Sequence, residues 1–240
     1  SGNALSLDLA ANGLVNMGDN LMLGSSNFTI SGWIKTPPGG TTGFGNFVSK
    51  HNTTFANGYI LGYNHTAIAN GLDHAFFYAG TRTIPSGGFT IVDVPVSTTV
   101  VNDGNWHHIV GVYRPTGLTT IYVDGAPVEG SIASSPIAAN AAPFLIGGTT
   151  AGSTPTANFT GLVDEVQIYN RALTDAEIDI LFVNPSVEIT TTPIIVVPPQ
   201  NLAVAVGSTA TFTVTAVSTF PGNGPLTYQW LRSGTNLPGA

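Results

Sequence analysis

Two carboxylates held at a fixed separation would signal sugar hydrolysis, one as acid and one as nucleophile or base. This chain has only four glutamates, Glu129, Glu165, Glu177 and Glu188. Asp164 and Glu165 are adjacent in an alternating stretch and so point to opposite faces of a strand. No serine stands in a nucleophile elbow. His107 and His108 also diverge as strand neighbours, and no third metal ligand is close in sequence. Catalysis is not expected. Binding chemistry is better represented. Sugar C–H faces stack on aromatic rings while hydroxyls need fixed polar partners. Tyr59, Tyr63, Asn64, His65, His74, Tyr78 and Arg82 supply those types in one region, and Tyr63, His65, Tyr78 and Arg82 are the candidate ligand contacts. Aromatic residues on strands serve equally as core or cross-strand packing, so both readings stand.

The segments that would position these residues alternate apolar and polar types. Leu5, Leu7 and Leu9 alternate with Ser6, Asp8 and Ala10, and Asn12-Gly13 marks a turn before Leu14–Met17. Phe28, Ile30, Gly32 and Ile34 oppose Thr29, Ser31, Trp33 and Lys35. Phe47–Lys50 with Gly58–Tyr63 reads as the next hairpin, followed by Ala75–Tyr78. Over Trp106–Tyr113 one face carries His108, Val110 and Val112 and the other His107, Ile109, Gly111 and Tyr113. Apolar residues on both faces predict a strand covered on both sides. Leu162, Val166 and Ile168 alternate with Asp164, Glu165 and Gln167 in a last strand. Thr174 then caps a short helix over Asp175–Phe182, with Asp175 and Glu177 at its positive end.

Four of these motifs occur together in an order that resembles one family. They are ALSLDLAANGLVNMG (Ala4–Gly18) with FTISGWIK (Phe28–Lys35), NWHHIVGVYRPTGLTTIYVDGAPVEG (Asn105–Gly130), FLIGG (Phe144–Gly148) and DEVQIYNRALTDAEI (Asp164–Ile178). The chain resembles the LamG-like jelly roll of the laminin G/concanavalin A-like lectins over residues 1–183. The resemblance implies an all-β, two-sheet antiparallel sandwich. It also implies FLIGG as the strand before the closing one, Trp106 as a packing residue, and histidines that hold the sheet together through hydrogen bonds. The superfamily's glucanase pattern of alternating Glu, Asp and Glu on one strand is absent. Members often bind a structural calcium ion where the first and closing strands meet, and hard oxygen donors suit that ion. The positions implied are Asp8 and Asp164, with backbone carbonyls near Asn12 and Gly13 as additions. The alternative is that Asp164 bonds turn amides and Asp8 is a solvated strand residue.

After the helix the character changes. Residues 184–200, with Asn184-Pro185 and Pro198-Pro199, read as an extended linker. Residues 201–240 resemble the first half of a cysteine-free bacterial immunoglobulin-like domain, with Trp230 at its core tryptophan and Ala210–Val217 as a strand. Such a sandwich needs about seven strands, and the apolar faces of Phe212, Val214, Tyr228 and Trp230 would lie open. A truncated fragment, a disordered segment, and completion by strands of another copy are the alternatives.

Composition narrows the function. Only 8% of the 240 residues are charged, against about a quarter in most domains. With six Lys plus Arg and a net charge of −7, no basic stripe exists to neutralise phosphates, which excludes nucleic acid. Membrane insertion is not expected despite the mean hydropathy of +0.25, since no apolar run reaches spanning length. There are no cysteines. Ser1-Gly2-Asn3 lacks a leader's pattern, so a mature or excised chain is expected. Asn27, Asn52, Asn64 and Asn158 begin glycosylation sequons, which matter only in a glycosylating secretory pathway. The expectation is an extracellular, non-enzymatic module that binds glycan or surface protein. The alternatives are a filament or coat subunit, and an accessory domain of a secreted carbohydrate-active enzyme.

Overall fold

The alternating segments pair as two antiparallel sheets. The computed structural model describes residues 4–21, 23, 26–38, 44–52, 57–66, 68–81, 94–116, 118–131, 136–151, 154–187, 189, 194–217 and 226–237. Two compact units divide the chain, Ser1–Pro185 and Ser186–Ala240. In the first, one six-stranded sheet has the spatial order β1 (Leu5–Leu7), β14 (Gly161–Tyr169), β3 (Phe28–Lys35), β8 (Trp106–Tyr113), β9 (Leu118–Val123) and β10 (Ala126–Ser131). The other runs β2 (Val15–Asn16), β11 (Leu145–Ile146), β4 (Gly45–Asn52), β5 (Asn57–Tyr63), β6 (His74–Thr81) and β7 (Val96–Val100). The result is an all-β jelly-roll sandwich. Two details differ from the sequence reading. The first strand ends at Leu7, leaving Leu9 exposed. A hairpin of β12 (Gly148–Ala151) and β13 (Thr154–Ala157) intervenes between FLIGG and the closing strand, and Ser49 of β4 donates to the carbonyl of its Gly148 at 2.8 Å.

The core is built from large residues on one sheet fitted to small ones on the other. Phe28 sits between Tyr59 and Tyr113, with ring centroids 5.0 and 4.9 Å away. Gly32 faces Phe47, and a Cβ there would stand 2.3 Å from Phe47 Cζ. A Cβ on Gly111 would likewise stand 2.6 Å from Phe77 Cδ2. In the β3–β8 register, Gly32 lies across from Ile109 and Gly111 across from Ile30. These two ladder steps each pair a glycine with an isoleucine, leaving a recess for the ring. A second cluster of Ile60, Ile68, Phe76, Tyr78 and Val94 lies on the other face of β5 and β6, so these strands are buried on both sides.

The helix α1 (Asp175–Val183) covers part of the outer face of the first sheet. Its start carries a reciprocal cap, in which the Glu177 amide donates to Thr174 and the Thr174 amide donates to Glu177 Oε2 at 2.7 Å. Phe182 stacks on Trp33 at 5.8 Å and on His108 at 6.0 Å, and Tyr122 donates to Asp175 at 2.7 Å. The cover over β3 and β8 is thus anchored at Trp33 and His108, two residues short of Lys35 and Trp106 along their strands.

The second unit holds two two-stranded ladders among its described residues, β15 (Ile194–Val197) with β16 (Thr215–Val217) and β17 (Leu231–Arg232) with β18 (Thr235–Asn236). Ile194–Val197 fall inside the stretch read as linker, whose residues 188 and 190–193 lie outside the described ones. Facing sheets of an immunoglobulin-like sandwich are not among the described residues. Phe212 and Tyr228 are each 49% exposed, with no second layer over them among the described residues.

The glycine recesses predict that overpacking is felt directly. Gly32→Ala and Gly111→Ala are each expected to destabilise the first unit by about 1–3 kcal/mol, read from urea unfolding followed by tryptophan fluorescence.

Candidate functional site

The aromatic region expected to contact ligand is largely interior. Tyr63 is 1% exposed and belongs to the main core, while Tyr78 is 0% exposed in the second cluster. His65 is 6% exposed, with its ring 4.5 Å from that of Phe44. These three are corrected to packing residues, since a ring enclosed on both faces offers no surface for a sugar to stack on. Arg82 lies outside the described residues.

The implied calcium positions do not converge either. Leu7 pairs with Gly161 and Leu5 with Val163, so Asp8 lies opposite Thr160, four positions from Asp164. At the strand rise this separates them by about 13 Å, too far for one ion whose ligands stand about 2.4 Å away. Asp8 Oδ1 accepts from the Ala10 amide, Asn12 Oδ1 from the Ala157 amide, and Asp164 Oδ1 from the Glu165 amide. Gly13 donates to the Asp8 carbonyl at 2.8 Å. Among the described residues, no three His, Asp or Glu are grouped to hold a metal. The residues do not fit a shared calcium site.

A different set is brought together at the uncovered end of the first sheet. Across four strands, Ser6 pairs with Leu162, Leu162 with Lys35, and Lys35 with Trp106. Directly paired residues share a face, so these side chains form one row. Beside it lies a cleft of about 400 Å³ lined by Ser6, Asp8, Lys35, Pro38, Gly104 and Leu162, among others. Trp106 is 37% exposed, whereas the resemblance implied that it packs. The half-buried Lys35 has no ion-pair or hydrogen-bond partner for its ammonium among the described residues. The other described cations of this unit are engaged. Lys50 meets Asp19 at 2.7 Å, Arg171 meets Glu177 at 2.8 Å, and Arg114 donates to Thr120 at 3.3 Å.

Histidines brace the loop that forms one wall. His107 Nδ1 meets Asp124 Oδ2 at 2.7 Å and Nε2 meets Asp103 Oδ1 at 3.1 Å. The Asp124 bond is the main cause that raises the His107 pKa. The Asn105 backbone amide, donating to Asp103, holds that carboxyl down at about 2. His108 Nε2 bonds Ser31 Oγ at 2.8 Å, and burial lowers its pKa to about 4. The histidines therefore do hold the sheet through hydrogen bonds. Lys35 and Trp106 were both visible in the motifs. Lys35 ends β3 and Trp106 starts β8, and Trp106 has no partner on β9.

A family model described as the concanavalin A-like lectin/glucanases superfamily matches residues 9–179. The chain belongs to this superfamily. It is 32% identical over 164 residues to adhesion G-protein coupled receptor V1 of Danio rerio, a match covering 67% of this chain and 2% of the receptor. Among solved structures, it resembles the Ruminococcus gnavus IT-sialidase CBM40, also solved bound to α2,3-sialyllactose, with a TM-score of 0.56 and 12% identity over 75% of this chain and 97% of that one. The binding domain of Paraclostridial Mosquitocidal Protein 1 superposes with a TM-score of 0.51 and 18% identity, covering 75% of this chain and 42% of that one. At these identities the structural likeness is one of fold.

The histidines set the pH response. Burial lowers both His65 and His108 to about 4 from 6.5. The unfolded chain therefore takes up their protons first as pH falls. Their contribution is present above pH 6.5 and is lost toward pH 4, at up to about 1.4 kcal/mol per pH unit for each ring. His107 works in the opposite sense, stabilising fully below 6.5 and fading as pH rises through its raised value. Urea midpoints measured from pH 4 to 9 are expected to fall on the acid side, and His107→Gln is expected to remove the alkaline-side loss.

Proposed function

We propose that the first unit is a non-enzymatic, extracellular recognition module that binds glycan at the cleft beside β1, β14 and β3. The observation that carries this reading is the half-exposed Trp106 ring set directly across the ladder from the unpaired Lys35. An exposed indole offers a flat apolar face for sugar C–H groups, and neighbouring charged and hydroxyl groups can fix orientation. Membership of a superfamily that includes lectins supports the reading. So do the names of similar proteins, an adhesion receptor and a carbohydrate-binding module. Among the described residues, no helix is long and apolar enough to cross a membrane. Trp106→Ala is expected to weaken glycan binding at least about tenfold, or ~1.4 kcal/mol, in titration calorimetry, while leaving the circular dichroism spectrum unchanged. Unaltered affinity would remove Trp106 from the site.

A second reading concerns the second unit. An apolar groove of about 360 Å³ there is lined by Ile195, Val214, Tyr228 and Trp230, among others, and Phe212 lies beside Trp230 at 6.4 Å. Exposed apolar surface of this kind favours a covering strand or partner, and another copy of the chain would make this a structural, assembling subunit. Light scattering of the full chain is expected to show mass rising with concentration, and Phe212→Ser with Tyr228→Ser is expected to abolish that rise. A concentration-independent monomer mass would rule out self-association.

A further inference from the structure

We infer that the cleft beside β1, β14 and β3 selects uncharged saccharides over acidic ones. The inference rests on the reading of this cleft as a glycan site. Its basis is the charge inventory. Among the described residues, Lys35 is the one cation lining the cleft and Asp8 its one carboxylate, so that lining sums to zero. Asp103 adds a second carboxylate next to the wall residue Gly104, and its side chain is 37% exposed. The chain around them carries a net charge of −7.

A sialic acid or sulfate placed here would meet one ammonium and the Asp8 carboxylate, with Asp103, bonded to His107 and Asn105, next to the wall. Sites that take such anions usually present an arginine fork or several cations. Among the described residues of this unit none is available, because Lys50, Arg114 and Arg171 are engaged elsewhere. An uncharged sugar can use both signs at once. The Lys35 ammonium donates to ring hydroxyls, and Asp8 Oδ2, which accepts no hydrogen bond among the described residues, accepts one from a sugar hydroxyl. By register, Asp8 and Lys35 are offset by two residues, about 7 Å along the strands, and by two ladder steps, about 10 Å across them. That offset brackets a ligand lying over Leu162 and running toward the Trp106 ring.

The test is a glycan array that carries neutral oligosaccharides beside forms of the same cores bearing a sialic acid or a sulfate, probed with the full chain. Neutral forms are expected to bind at least about tenfold tighter than their acidic counterparts. Trp106→Ala and Lys35→Ala should each weaken neutral binding by a similar factor, and Asp8→Asn should narrow the neutral-to-acidic ratio. Circular dichroism confirms that each variant is folded. Retention confined to acidic glycans, and lost in Trp106→Ala, overturns the selectivity and leaves the recognition reading intact. Retention of no glycan overturns both, and neutral binding unmoved by both Trp106→Ala and Lys35→Ala overturns this cleft as the site.

Discussion

The sandwich depends on two phenylalanine rings of one sheet seated on two glycines of the other. Facing sheets pack at about 10 Å, a spacing that side chains of ordinary size fill by interdigitation. Phe47 over Gly32 and Phe77 over Gly111 fix where the two sheets can come together. Both glycines lie on the paired strands β3 and β8, and these same strands end at Lys35 and Trp106. The packing that sets the core therefore also sets the cross-strand pairing at the cleft. Phe28, in contact range of Tyr59, Phe77 and Tyr113, ties the same two strands to the opposite sheet.

Polar groups do a different job in this molecule. With so few charges, each buried one has a definite partner. Lys50 is fully buried and reaches Asp19 and the Ala142 carbonyl, tying β4 to two loops. His107 draws the loop at Asp103 and the turn at Asp124 onto the end of β8. Such bonds contribute less to stability than the core does, but they fix loop position, since a buried charge left unpaired is costly. Lys35 stands apart because no such partner constrains it among the described residues.

The fold was legible because period-two alternation survives in nearly every long strand. FTISGWIK alternates on a face-by-face basis that the register reproduces residue for residue, and the Thr174 cap was readable from local chemistry alone. The site was less legible. Tyr63 and Tyr78 have the composition of a sugar platform, yet alternation cannot say whether the outward face of a strand meets water or another layer. Here the second apolar cluster covers Tyr78. Asp8 follows directly on β1 and Asp164 lies in β14, strands that do pair, but the four-position offset between them depends on register, which residue types do not specify. Trp106 was read as packing, and its exposure follows from where α1 ends its cover.

The pairing of the first strand with the last has a mechanical consequence. β1 and β14 are antiparallel, and β14 continues past the start of β1 before leaving the sheet. Tension between segments flanking the unit is therefore applied at the same end of this short ladder. Its hydrogen bonds would be loaded one pair after another, as in unzipping, and not all together in shear. A chain of such units under pull would yield first by peeling back β1. The β3–β8 pair that holds Lys35 against Trp106 would stay closed.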